Sequence, residues 1–142
     1  VYIESSLDKN EDKEVADWEQ QVVDLVNEER VKADLEPLEL DVELSNVARI
    51  KSEDMRDEGY FDHFSPVYGS PFEMMEQFDI TFLAAGENIA AGQDSPEAVV
   101  KAWMNSPGHK KNILSPDFTH TGVGYADGGS YRHYWTQQFI GR

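Results

Sequence analysis

This 142-residue chain contains no cysteine, few basic residues and no long apolar run. Without cysteine there can be no disulfides and no thiolate-ligated metal, although the compartment stays open. Only 12 Lys and Arg stand against 28 Asp and Glu, giving a formal net charge of −16 at pH 7. A surface this acidic repels phosphate backbones and anionic headgroups, so generic DNA or RNA binding and charge-driven docking on lipid are excluded. It gathers cations and suits saline surroundings, but it names no ligand. No stretch reaches the roughly 18 apolar residues of a membrane span. Also missing are the dinucleotide fingerprint GxGxxG, the P-loop, HExxH and GxSxG, so nucleotide, zincin and α/β-hydrolase readings lose their usual support. The sequence opens Val1-Tyr2-Ile3 with no Met and no basic leader. The expectation is a mature or excised segment whose signal peptide lies outside it.

What is present reads as a folded unit. The chain is 39% hydrophobic and 28% charged with seven Phe, six Tyr and three Trp, which is not the composition of a disordered polypeptide. A chain of this length buries roughly 68–70% of its extended surface, enough for one core and one domain. Residues 1–17 carry six acids, two lysines and few apolar groups, and read as a solvated lead-in or linker. Trp18, Val22, Leu25, Val26 and Glu29 have helical spacing, which predicts an amphipathic helix over 17–32. Asp41 is an N-cap for a second stripe of Leu44, Val47, Ala48, Lys51 and Met55, running to about 57 and closed near Gly59. Pro71 with Phe72, Met75 and Phe78 suggests a third, shorter helix. Ser95-Pro96-Glu97 opens a helix through Trp103, and Ser106-Pro107 repeats that start signal as a cap for one more turn.

The last quarter changes character. Thr121–Ala126 and Tyr131–Ile140 are rich in aromatic and β-branched residues, and Asp127-Gly128-Gly129 between them signals a hairpin. Helices followed by an antiparallel sheet argue α+β, with helices packed on the sheet faces.

Short polar clusters punctuate this framework: Phe61-Asp62-His63-Phe64-Ser65-Pro66, Gly86-Glu87-Asn88-Ile89-Ala90, Trp103-Met104-Asn105-Ser106-Pro107-Gly108-His109, and Tyr134-Trp135-Thr136-Gln137. In this order and spacing they resemble the CAP superfamily (SCP/PR-1-like, allergen V5-like), and in particular its bacterial secreted branch. There W-x-x-S-P-G-H-x-x-N-I-L and G-E-N-I-A are characteristic. The resemblance covers residues 18–142, leaving 1–17 as the acidic lead-in. It implies an α-β-α sandwich with a small central antiparallel sheet between helical layers, and a central cleft. In many eukaryotic members that cleft holds two histidines and two glutamates, some binding a divalent metal. His63 and Glu87 match the first histidine and first glutamate. Ser106 stands where the second glutamate would be, and Tyr134 where the second histidine would be. His109, near the substituted region, can supply a second imidazole. The implied site is therefore His63, Glu87 and His109, with Tyr134 and Gln137 as lining groups.

Two neutral imidazoles and a carboxylate suit an open zinc site, or one for another divalent cation, with water in the fourth position. Such a metal would acidify its water, and Glu87 could act instead as a base. Binding would weaken as pH falls through the histidine pKa. The same three residues can equally form a hydrogen-bonded network satisfying buried polar groups.

Other candidates carry less. Ser65 and Ser106 lie near His63 and His109, but no oxyanion hole or nucleophile elbow accompanies them. His120 and His133 flank strands and read as surface or packing histidines. Trp103, Tyr125, Tyr131, Tyr134 and Trp135 read as core. Asp8, Asn10, Asp12, Val15 and Glu19 follow calcium-loop spacing, yet Lys13 replaces the Gly that the loop's sharp turn needs.

The resemblance supports no single activity, since family members are variously described as binding sterols or lipids, engaging proteins or, in a few cases, showing proteolysis. The leading expectation is a secreted, monomeric module that binds an unidentified ligand, lipid or protein outside the membrane. Alternatives are a metal-dependent, peptidase-like hydrolase using the same cleft, or a cell-envelope interaction protein acting through an exposed surface.

Overall fold

Capping chemistry sets the helix boundaries. The computed structural model describes residues 15–142, among which there are five helices and four strands. Helix α1 spans Asp17–Lys32 and begins where the Ala16 N–H donates to Glu19 Oε1 at 2.9 Å. Helix α2 spans Val42–Glu58; Asp41 Oδ1 accepts from the Leu44 N–H, and Gly59 ends the helix in the left-handed region at φ 70°. Helix α3, Pro71–Gln77, carries a reciprocal Ser70–Glu73 capping box. Helix α4, Pro96–Met104, starts on Ser95, whose hydroxyl accepts from the Ala98 N–H. Helix α5, Pro107–Ile113, follows Ser106. Ser106 occupies the N-cap position, but its side chain makes no capping bond, contrary to the cap expected from Ser-Pro. It is turned instead onto His109.

Strands β1 (Glu39–Leu40), β2 (Ala84–Ala91), β3 (His120–Asp127) and β4 (His133–Gly141) form one sheet in the order β1-β3-β4-β2. β2 and β3 both run antiparallel to β4, while the two-residue β1 adds a parallel edge to β3. The β3–β4 hairpin is as expected, although Tyr131 lies in its loop and β4 starts at His133. β2 had no strand signature of its own: Ile89 is its one β-branched residue. It is held in place by eight consecutive register pairs with β4.

Alternation along the strands divides the core into two layers, one on each sheet face. On one face Ala90, Val123, Trp135 and Phe139 meet Val22 and Val26 of α1 and Val99 and Trp103 of α4. On the other face Ile140 meets Leu44, Val47, Met74 and Met75, while Ile89, Ala126 and Tyr134 meet Met55. The result is an α-β-α sandwich. Each fully buried Val, Leu, Met or Phe contributes about 1.5–3 kcal/mol. Helix α2 lies directly on β3 because Gly122 and Gly124 leave room for it. A Cβ at Gly124 would stand 2.0 Å from the Arg49 nitrogen, and one at Gly122 would stand 2.3 Å from that of Ser45.

Residues 1–14, including Asp8, Asn10, Asp12 and Lys13 of the calcium-loop spacing, lie outside the described residues. The final member of that pattern, Glu19, is 1% exposed. Its carboxylate binds Arg49 Nη2 at 2.6 Å and accepts the Tyr125 N–H at 2.9 Å, which covers part of the β3 edge.

Candidate functional site

The loop between α2 and α3 is organised by a buried lysine. Lys51 sits on the inward stripe of α2 and is 1% exposed. Its Nζ donates to Tyr60 Oη at 3.1 Å and to the carbonyls of Asp62 and His63 at 2.8 and 2.9 Å, which uses all three ammonium protons. Burial lowers the Lys51 pKa, while the charges of Glu87, Asp54 and Asp62 pull it back up. The Tyr60 hydroxyl donates to Asp54 Oδ2, and Ser65 Oγ donates to the same oxygen at 2.6 Å. Burial, and next the Asp54 contact, push the Tyr60 phenol well above its usual range. Ser65 is 1% exposed and also accepts the Val67 and Tyr68 N–H groups, so it serves as a loop staple.

This staple presents His63 to β2. His63 Nδ1 lies 2.8 Å from Glu87 Oε1, and Gln138 Nε2 donates to Glu87 Oε2 at 2.9 Å. The Glu87 side chain is 2% exposed and that of His63 is 50% exposed. Glu87 and Gln138 are cross-strand partners on β2 and β4, so the sheet register itself aligns amide with carboxylate. An ionised carboxylate only accepts, so the contact puts a proton on Nδ1, and in the neutral imidazole the lone pair is then on Nε2.

The second imidazole comes from α5. His109 Nδ1 lies 2.8 Å from Ser106 Oγ, and its carbonyl accepts from Asn88 Nδ2 at 3.2 Å. Burial, and then the charge of neighbouring His63, lower the His109 pKa. Asn112 Nδ2 donates to the Glu87 carbonyl and to Asn88 Oδ1, tying α5 to β2. Arg30, 2% exposed, anchors the far end of α5 by donating to the carbonyls of Ile113 and Ser115, each at 2.8 Å.

His63, Glu87 and His109 thus belong to one region. Tyr134 shares the Glu87 face of the sheet but packs with Met55, Ile89 and Ala126, and its hydroxyl accepts the Tyr131 N–H at 3.2 Å. Gln137 projects from the opposite face, where its Nε2 donates to Thr121 Oγ1, so it does not reach Glu87. Gln138, which the sequence reading missed, takes that place. Strand parity was the available signal: Tyr134 and Gln137 are three residues apart and cannot share a face. His120 meets Glu39 at 3.1 Å, and His133 meets the Tyr125 hydroxyl at 2.7 Å. Trp103 and Trp135 are core, but Tyr131, read as core, is 56% exposed.

Among the described residues no group of three or more His, Cys, Asp or Glu is arranged to hold a metal ion. Both Glu87 oxygens are committed, to His63 and to Gln138. In this arrangement Glu87 serves His63 as a hydrogen-bond acceptor. The side-chain hydrogen bonds of His63 and His109 both run through Nδ1, with Glu87 behind His63 as the orienting carboxylate.

The sequence model of the Cysteine-rich secretory protein family, CAP, matches residues 23–139. The uncharacterized protein YkwD of Bacillus subtilis (strain 168) is 61% identical over 128 residues, covering 90% of this chain and 49% of that protein. The chain therefore spans about half the length of that curated relative. The crystal structure of an extracellular protein containing an SCP domain from Bacillus anthracis superposes with a TM-score of 0.82 at 39% identity, covering 87% of this chain and 40% of that one. An outer surface protein of Borrelia burgdorferi gives 0.78 at 25% identity, covering 87% and 91%. No helix among the described residues is long and apolar enough to cross a membrane.

Proposed function

The chain belongs to the Cysteine-rich secretory protein (CAP) family, and from that premise we propose that it is the binding module of a secreted bacterial protein. It acts outside the membrane through the His63–Glu87–His109 region. The observation that carries this reading is the 2.8 Å contact between a half-exposed imidazole and a carboxylate that is 2% exposed. That pairing sets the tautomer of the neutral imidazole and makes Nε2 its accepting nitrogen, as at a ligand or metal site. The similar proteins from Bacillus anthracis and Borrelia burgdorferi are described as extracellular and outer-surface proteins, which supports export of this chain.

Zinc or another divalent cation would be held by His63 Nε2 and His109 Nε2, and would supply a Lewis-acidic centre there. The protein's own part is to keep His109 neutral and His63 oriented. The lowered His109 pKa serves the first need and Glu87 the second. Glu87 is a poor general base in this arrangement, because its side chain is 2% exposed behind His63 and Gln138 and has little reach to a substrate proton. Binding without turnover is therefore preferred to peptide hydrolysis. The test is zinc calorimetry on metal-stripped protein at about pH 7.5, above the ordinary histidine pKa of about 6.5. Saturable one-to-one binding that is lost in His63→Ala/His109→Ala supports the reading. No binding, or binding that survives the double substitution, makes the three residues a structural network.

A further inference from the structure

Beyond the imidazole site, four aromatic side chains line a separate depression. Gly59, Tyr60 and Phe61, at the C-terminal end of α2, face Ser130, Tyr131 and Tyr134 of the β3–β4 hairpin around a cavity of about 220 Å³. Phe61 is 47% exposed and Tyr131 56% exposed, although both are large and apolar enough to be buried at little cost. Their rings stand 6.5 Å apart at 57°, and those of Tyr131 and Tyr134 stand 6.0 Å apart at 76°. Phe61 and Tyr131 form two tilted walls of a box, and Tyr134 meets Tyr131 edge to face and backs it.

The box is built in advance. The Tyr60 hydroxyl is fixed on Asp54, and the Tyr131 N–H donates to the Tyr134 hydroxyl. The hairpin loop holds its shape through Gly128 N–H to the Arg132 carbonyl at 2.8 Å, with Gly128, Gly129 and Arg132 all at positive φ. Its electrostatics favour positive charge. The negative end of the α2 dipole closes on Gly59. Glu58 and Asp62 adjoin the lining residues in sequence, Asp57 and Asp127 lie two and three residues from them, all four are exposed, and the chain carries −16 overall. Against them stand Arg56, whose guanidinium is paired with Asp57 at 2.7 and 3.2 Å and donates to the Asp127 carbonyl at 3.2 Å, and the exposed Arg132. The Tyr60 ring is already taken by Lys51 Nζ, 4.8 Å from its centroid, which leaves Phe61 and Tyr131 as the rings open to a ligand.

We propose that this aromatic depression is a binding site for a small organic cation, an alkylated or quaternary ammonium group held by cation–π contact with Phe61 and Tyr131. The cavity is below the roughly 300–1,000 Å³ of sites for drug-sized molecules, so the ligand is of headgroup size. The test titrates the whole chain with choline and, separately, with its uncharged isostere 3,3-dimethylbutan-1-ol, following aromatic resonances by NMR. Saturable choline binding that shifts the ring signals of Phe61 and Tyr131, with no comparable response to the alcohol, is the expected result. Tyr131→Phe should retain it, while Tyr131→Leu and Phe61→Leu should each weaken it by about 5- to 30-fold. Both positions are exposed, so these variants fold. Absence of saturable choline binding, equal binding of the alcohol, or unchanged affinity in both leucine variants would overturn the proposal. Zinc does not enter this titration, so its failure is distinct from failure of the imidazole site.

Discussion

Glu87 has more partners than a surface carboxylate needs, and each one restricts His63. Replacing it with Gln removes the charge that holds the Nδ1 proton and sets an amide against the Gln138 amide. Glu87→Gln is expected to fold and to lose about 10- to 100-fold in zinc affinity by calorimetry, the usual effect of removing an orienting carboxylate. An unchanged affinity would mean that the carboxylate does not orient the imidazole. His109 makes a separate expectation about pH. Burial, and next His63, hold its pKa below the ordinary 6.5, so its resonances should titrate at a lower pH than those of a free histidine. The sign for stability follows: because the folded pKa is depressed, the contribution of neutral His109 is present above the unfolded value and is lost as pH falls through the folded one. A His109→Gln variant should show a flatter dependence of urea stability on pH across that interval.

At the scale of elements, the contact of α2 with β3 is the tightest in the fold. Gly124→Ala would put a Cβ 2.0 Å from the Arg49 nitrogen, against backbone that cannot swing away. The expected cost is about 3 kcal/mol or more, read as a lower urea midpoint with an unchanged slope. Lys51→Met tests the loop that carries His63. It leaves Tyr60 Oη and the carbonyls of Asp62 and His63 without their shared donor, and is expected to cost about 1–3 kcal/mol. Hydrogen exchange should quicken in residues 60–69 ahead of the rest of the chain. Helices were legible because their signals are local: Asp41, Gly59, Ser70 and Ser95 all act at the positions where the sequence puts them. β2 was not legible because Ala84–Ala91 is a strand only through its pairing with β4. The buried lysine was visible as a charged residue on an apolar stripe, but its three acceptors are brought together only by the tertiary structure. His63 and Glu87 were legible through motif resemblance, whereas Gln138 needed the sheet register.

Over the whole molecule, charge sets the behaviour. A net charge of −16 makes the folded chain repel itself, and salt relieves that repulsion by shortening the Debye length from about 30 Å at 0.01 M to about 3 Å at 1 M. The Tm should therefore rise as sodium chloride increases over that range, and a flat or falling Tm in scanning calorimetry would contradict this reading. The three-layer arrangement also brings His63, from the loop after α2, beside Glu87 on the sheet, and His109 from α5 close enough to feel the charge of His63. Whether that assembly poises His63 for binding is decided by where the His63 proton sits. A long-range ¹H–¹⁵N NMR spectrum of the imidazoles at a pH above their titration reads this atom by atom. His63 protonated on Nδ1, with that preference lost in Glu87→Gln, is the expected outcome. A His63 protonated on Nε2, or one insensitive to Glu87, would show that no accepting nitrogen is presented and that the site does not work as described.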